Sequence, residues 1–103
     1  MNDTIERSLK LLEQYPNNEL ARFSLGKAYF DLGEWDKAKE QFQIALSKKP
    51  DWMVVHILLG KCELQQNNKD AAKQSFEKAR QLAIDQKHDG PLAEMEQLLA
   101  ELE

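Results

Sequence analysis

Few side chains in this sequence are of the types that perform catalysis or bind metals, and their spacing favours neither activity. Cys62 is the single cysteine, and the two histidines, His56 and His88, lie far apart in the chain. Metal sites usually join three or four ligands at fixed spacing, whereas His88 has only Asp85 and Asp89 nearby. The four glycines are isolated and form no phosphate-binding loop. We therefore predict no enzyme activity, no metal site and no cofactor.

Composition and charge argue against further classes of function. The chain has 103 residues, of which 42% are hydrophobic and 31% charged, with a net charge of −4. Nucleic-acid-binding domains usually carry a basic stripe, and a membrane span needs about eighteen consecutive apolar residues. The first residues lack the apolar core of a signal peptide. The single cysteine cannot form a disulfide within the chain. We expect one cytoplasmic domain with neither a nucleic-acid nor a membrane partner.

The elements that would position any site follow from an internal repeat. The tripeptide Leu25-Gly26-Lys27 returns as Leu59-Gly60-Lys61, and eight of the 32 positions in 19–50 are identical in 53–84. The other identical pairs, all separated by the same interval, are Asp36 and Asp70, Ala38 and Ala72, Lys39 and Lys73, Phe42 and Phe76, and Ala45 and Ala79. Self-similarity at one fixed interval of this kind is typical of solenoids built from stacked units.

Each unit has the pattern of two helices joined by a tight turn. Asn17 and Asn18 can cap the start of the first helix, and Gly33 can end it in the left-handed conformation. The residue equivalent to Gly33 is Asn67, which also tolerates that conformation, and Asp51 is expected to cap the following helix. The predicted helices span 3–15, 18–32, 34–48, 51–66, 69–86 and 91–102.

Gly26 stands in the middle of a predicted helix, where glycine costs roughly 1 kcal/mol relative to alanine. We predict that Gly26 and Gly60 lie where the second helix of each hairpin crosses the first closely. Ala38 and Ala45 would be the small residues of the crossing helix, and Phe42 would fill the space between successive layers. Cys62 corresponds to Ala28, which predicts a small buried residue and not a reactive thiol.

The residues Leu25-Gly26, Tyr29, Gly33, Ala38, Phe42, Ala45 and Pro50 resemble a tetratricopeptide repeat, a helix–turn–helix unit of about 34 residues. Leu59-Gly60, Ala72, Phe76 and Ala79 resemble a second copy, in which Glu63 and Ile84 replace the tyrosine and the proline. The resemblance implies an all-α solenoid of about six antiparallel helices forming one domain over 1–103. Its parts would be a half-repeat helix at 3–15, repeats at 18–50 and 51–86, and a capping helix at 91–102.

The resemblance also implies a concave face lined by the first helix of each hairpin. That face would carry Leu20, Phe23, Lys27, Phe30, Val54, Ile57, Lys61 and Leu64. Both sets of four follow a three–four–three spacing, which places each set on one side of a helix. The lysines of the second helices, Lys39 among them, are interleaved with acids and predict a solvated outer face.

These features favour a non-catalytic protein-interaction module whose concave face binds an apolar peptide or helix with acidic residues nearby. The alternative is a structural subunit that self-associates through a terminal helix. We expect a monomer in preference to a homodimer. The apolar stripe of the last helix, which contains Met95 and Leu99, is expected to cover the 69–86 helix, because the ends of solenoids need a cap.

Overall fold

The computed structural model describes residues 2–103, and in that range it is entirely α-helical, without strands. Its six helices are α1 (Asp3–Gln14), α2 (Glu19–Asp31), α3 (Trp35–Lys48), α4 (Met53–Gln65), α5 (Lys69–Asp85) and α6 (Asp89–Glu101). Each bound lies within two residues of its prediction, so the all-α fold is confirmed. Over the same residues, no helix combines the length and the apolar composition that crossing a membrane requires.

The helices form two rows. Each helix packs against the next one in the chain, and α2 also contacts α4. We call α2, α4 and α6 the inner row and α1, α3 and α5 the outer row. α2 and α4 begin at Glu19 and Met53, and α3 and α5 begin at Trp35 and Lys69. Both pairs are separated by the interval that separates Gly26 from Gly60, so the repeat of the sequence is also the repeat of the helices.

Three of the turns share one backbone conformation. The residues just beyond α2, α4 and α5 have positive φ values: Gly33 (74°), Asn67 (61°) and Lys87 (59°). In each turn, the next amide N–H donates to a carbonyl five residues earlier, for example Glu34 N–H to the Tyr29 oxygen at 2.9 Å. The prediction was correct for Gly33 and Asn67, whereas Lys87 gave no sequence signal because lysine rarely adopts this conformation.

Of the two capping residues predicted at helix starts, Asn18 and Asp51, one is confirmed. The Asn18 side chain accepts a hydrogen bond from the Ala21 N–H at 3.0 Å, as expected for a cap. The prediction that Asp51 caps α4 is wrong. The cap position is held by Trp52, which makes no side-chain cap bond, because α4 begins at Met53 and Asp51 lies one residue too early.

Gly26 and Gly60 are sites of close approach, as predicted, but the group that approaches is an aromatic ring. A Cβ atom on Gly26 would lie 2.6 Å from Cε1 of Phe42, and one on Gly60 would lie 2.5 Å from Cε1 of Phe76. Phe42 therefore packs onto the glycine of its own hairpin as well as filling the core between layers, where it is fully buried. Ala38 and Ala45 are buried beside it on α3, as predicted.

The expectation of a uniformly solvated outer face is wrong for Lys39. Its side chain is 18% exposed, and its ammonium group lies 3.3 Å from the Glu63 carboxylate, which is 12% exposed. Glu63 also accepts a hydrogen bond from the Asn68 amide at 2.9 Å. The acid that replaces the tyrosine of the first repeat therefore joins α3 to α4, and its burial is supported by two partners.

Candidate functional site

The predicted concave stripe lies on two neighbouring helices of the inner row. α2 carries Leu20, Phe23, Lys27 and Phe30, and α4 carries Val54, Ile57, Lys61 and Leu64. Each residue of α2 has its equivalent on α4 one repeat later. The two helices are in contact, so the two halves of the stripe are side by side.

The stripe is most open at the N-terminal ends of α2 and α4. Leu20 is 73% exposed, and its equivalent Val54 is 38% exposed. Near the same helix ends, the half-buried Phe23 ring stacks on Trp52, with ring centroids 5.3 Å apart. We call these four residues the open patch. Trp52 was missed from the sequence because it precedes α4, although an aromatic residue immediately before a helix could have suggested it.

Lys27 lies further along α2 beside Phe30. Its ammonium group is 2.7 Å from the Asp31 carboxylate and 5.8 Å from the centre of the Phe30 ring. Phe30 in turn meets Trp35 edge to face, at 5.3 Å between centroids. Lys27 and Asp31 are both well exposed, so this pair contributes little to stability and leaves the cation accessible to a ligand.

The second half of the stripe is largely covered by α6. Ile57 is only 6% exposed and belongs to a core cluster with Phe76 and Met95, against which Leu64 also packs. The prediction that Ile57 presents an open apolar surface is therefore corrected, because the capping helix occupies that space. Lys61 forms an ion pair with Glu94 of α6 at 3.0 Å. The two lysines of the stripe thus differ, since only Lys61 is paired with another helix.

The residues considered for chemistry lie apart from one another. Cys62 is fully buried in the core, as predicted. His56 is within hydrogen-bonding distance of the Pro50 carbonyl, at 2.8 Å, and His88 stands at the start of α6. Within residues 2–103, no three side chains of the His, Cys, Asp or Glu types are grouped so that they could hold a metal ion.

Burial raises the pKa of the Cys62 thiol to about 11; nearby Lys39 lowers it and Glu63 raises it further. Because this pKa exceeds that of an unfolded cysteine (about 8.5), the buried thiol stabilises the fold below pH 8.5. That stabilisation is lost as the pH rises towards 11. We expect the stability advantage of the parent over Cys62→Ala to shrink between pH 7.5 and 10.5, measured by urea unfolding.

A difference in the free energy of unfolding that stays constant with pH would contradict the burial argument for Cys62.

The comparisons with known sequences agree with the helical pattern. The family model of the tetratricopeptide repeat matches residues 8–52 and again residues 23–87. The TPR repeat-containing protein PA0015 of Pseudomonas aeruginosa is 34% identical over 92 residues. The aligned region covers 89% of this chain and 86% of that relative.

Solved structures match over nearly the whole chain. The solution structure of protein BPP2914 from Bordetella parapertussis has a TM-score of 0.86 at 29% identity, covering 99% of this chain and 89% of that one. The crystal structure of PcrH in complex with the chaperone binding region of PopD has a TM-score of 0.89 at 20% identity. That match covers 95% of this chain and 74% of PcrH, and it shows similarity of fold alone.

Proposed function

Because the chain belongs to the tetratricopeptide repeat family, we propose that it is a non-catalytic protein-interaction module that binds an apolar peptide or helix on its inner row. The proposed surface is centred on the open patch, Leu20, Phe23, Trp52 and Val54. It continues along α2 to Lys27 and Phe30, and along α4 to Lys61 and Leu64. Ile57 supports this surface from beneath as a core residue.

The observation that carries this proposal is the exposure of Leu20 and Val54 at equivalent positions of neighbouring helices. A single exposed leucine is ordinary on a protein surface. Here Leu20 lies one helical turn from Phe23, and Val54 lines the same depression as Trp52; apolar surface that is grouped in this way marks interaction sites more often. The complex of PcrH with the chaperone binding region of PopD supports the same kind of function, because that protein of similar fold binds a segment of another protein.

The chemistry of the patch suits a short apolar segment bound with modest affinity. Burying Leu20, Phe23 and Val54 would contribute roughly 4–9 kcal/mol, whereas association costs about 4–15 kcal/mol. Further contacts to Phe30 and Leu64 would bring the dissociation constant into the micromolar range. Lys27 and Lys61 would attract an acidic residue of the ligand, which would compete with their present partners Asp31 and Glu94.

We expect that 16-residue peptides selected from a random display library on the immobilised protein will be rich in leucine and aromatic residues. Replacing Leu20 and Val54 together by glutamate should weaken their binding at least about tenfold, because a carboxylate cannot be buried against an apolar side chain without cost. The dissociation constants can be measured by isothermal titration calorimetry.

The matched control replaces two equally apolar residues that lie away from the inner row. Leu9 on α1 and Ile84 on α5 are 45% and 42% exposed, so Leu9→Glu with Ile84→Glu introduces the same charge at two other exposed apolar positions. This variant should bind the selected peptides as the parent does. The proposal fails if the Leu20 and Val54 variant keeps the affinity of the parent, or if the control loses as much affinity.

A further inference from the structure

A pocket of about 250 Å³ lies where the turn between α1 and α2 meets the end of α3. It is smaller than the pockets of roughly 300–1,000 Å³ that hold drug-sized ligands, so it suits a molecule of about ten non-hydrogen atoms. None of the four residues of the open patch lines this pocket, so it is separate from the surface proposed for peptides. We call it the turn pocket; its lining includes Pro16, Glu19, Arg22, Ile44, Ala45 and Lys48.

The turn pocket combines apolar side chains with charges of both signs. Ile44 and Ala45 of α3 supply apolar surface, whereas the charged lining consists of one carboxylate and two cations, from Glu19, Arg22 and Lys48. Within residues 2–103, none of these three charged groups takes part in an ion pair, either with one another or with another residue. Opposite charges therefore surround a small, partly apolar pocket without neutralising each other.

The guanidinium group of Arg22 is held in position by uncharged partners. Its Nη1 donates to the side-chain oxygen of Gln41 at 2.9 Å, and its Nη2 donates to the carbonyl of Pro16 at 3.2 Å. A guanidinium group has more N–H donors than these two bonds use, and the others have no partner among the described residues. Arg22 is half-buried, so a carboxylate in the pocket would meet a cation whose orientation is already fixed.

The hydrogen bond from Arg22 to the turn has an equivalent in the second repeat. There His56, one repeat after Arg22, lies 2.8 Å from the carbonyl of Pro50. A side chain that bonds to this carbonyl is therefore a feature of both repeats, and a histidine provides it as well as an arginine does. The positive charge of Arg22 is not needed for the turn.

The other two charges of the turn pocket are absent from the second repeat. The residues equivalent to Glu19 and Lys48 are Met53 and Leu82. Leu82 is only 7% exposed, so an apolar side chain is buried at the position where the first repeat has an exposed lysine. The repeat thus folds without these charges, and they leave the first repeat with a charged pocket of its own.

We propose that the turn pocket binds a free α-amino acid with an apolar side chain of about the size of leucine. The side chain of the ligand packs against Ile44 and Ala45. Its carboxylate binds Arg22 and Lys48, and its ammonium group binds Glu19. A zwitterion matches a pocket that holds unpaired charges of both signs, whereas a simple carboxylate or a simple amine leaves one sign without a partner.

Three ligands that share one apolar side chain test this assignment on the parent protein. We expect L-leucine to bind with a dissociation constant of about 1–10 mM, because so small a ligand makes few contacts. Isocaproate lacks only the ammonium group of leucine, and isopentylamine lacks only its carboxylate. Each should bind at least about tenfold more weakly than L-leucine. The measurement is a titration followed in amide NMR spectra, in which the signals of residues that line the turn pocket should shift and saturate.

Single substitutions then test the groups that bind each charge. Arg22→His keeps a side chain that can bond to the turn but is mostly neutral at about pH 8, so it should weaken L-leucine binding at least about tenfold. Glu19→Gln should bind L-leucine and isocaproate equally, because the preference for the ammonium group is lost. Lys48→Leu should also weaken L-leucine binding. Lys37→Leu is the matched control, since Lys37 is exposed on the same helix but outside the pocket, and it should bind as the parent does.

The proposal is overturned if L-leucine produces no saturable shift up to about 50 mM. It is also overturned if the parent binds isocaproate or isopentylamine as tightly as L-leucine, because the unpaired charges would then select nothing. An Arg22→His protein that keeps the parent affinity contradicts the role of that cation. Peptide binding at the open patch uses other residues, so either proposal can fail without the other.

Discussion

Replacing Gly26 by valine is expected to destabilise the protein by about 1–3 kcal/mol, although valine is the better helix former. The reason is the Phe42 ring, whose Cε1 and Cδ1 atoms would lie 2.6 and 2.8 Å from the new Cβ. Phe42 is fully buried, so its ring has no free space into which it could move. A loss of about 2 kcal/mol would lower the Tm by roughly 8–16 °C, which thermal unfolding followed by circular dichroism can measure.

Gly90 provides the matched control for this substitution. It lies in the first turn of α6, and apart from its chain neighbours an added Cβ would meet no atom within 4 Å. Gly90→Val should therefore lower the Tm clearly less than Gly26→Val, because its new contacts are confined to its chain neighbours, among them Pro91. A double-mutant cycle gives the sharper test, because Phe42→Ala should cost less in the Gly26→Val protein than in the parent. Additive losses would show that the ring is not the cause of the strain.

Removing α6 should have the larger effect on stability. Deletion of 91–103 uncovers the cluster that contains Ile57, Phe76 and Met95, and it breaks the ion pair between Lys61 and Glu94. Met95 is fully buried, so Met95→Ala alone should cost about 2–5 kcal/mol. Small domains are stable by only about 5–15 kcal/mol, so the truncated chain should be partly unfolded at 25 °C. Urea unfolding followed by circular dichroism measures both losses.

Leu92 on the same helix is the control for Met95. It is half-buried and lies outside that cluster, so Leu92→Ala should cost clearly less. The competing prediction is that α6 pairs with a second copy of the chain and does not stabilise the single chain. That prediction would be supported if the truncated protein kept the free energy of unfolding of the parent and lost only its self-association.

The sequence could predict the fold because each element is specified locally. Asn18 offers a side-chain acceptor to the start of α2, and Gly33 permits the turn that ends it. The spacing of Ala38, Phe42 and Ala45 places all three on one side of α3, and all three are buried. These signals involve residues within a few positions of one another, so periodicity alone reveals them.

The candidate surface was predictable only in outline. The three–four–three spacing identifies the side of α2 and α4 that carries the stripe, but it gives no information about which parts are covered. Leu20 and Ile57 belong to the same pattern, yet one is 73% exposed and the other 6%. The difference arises because α6 packs over the second repeat, and its position depends on how the last hairpin turns after Lys87.

The six helices, the interval at which they repeat and the close approach at Gly26 and Gly60 could be predicted from the residue pattern. Local propensity, capping and the spacing of small and aromatic residues are sufficient for these features. The folded molecule was needed to show that Phe42 and Phe76 are the groups on the glycines, that Lys39 and Glu63 pair between helices, that Trp52 stacks on Phe23 and that Ile57 is buried. Each of these depends on contacts between residues far apart in the chain, which no local pattern can specify.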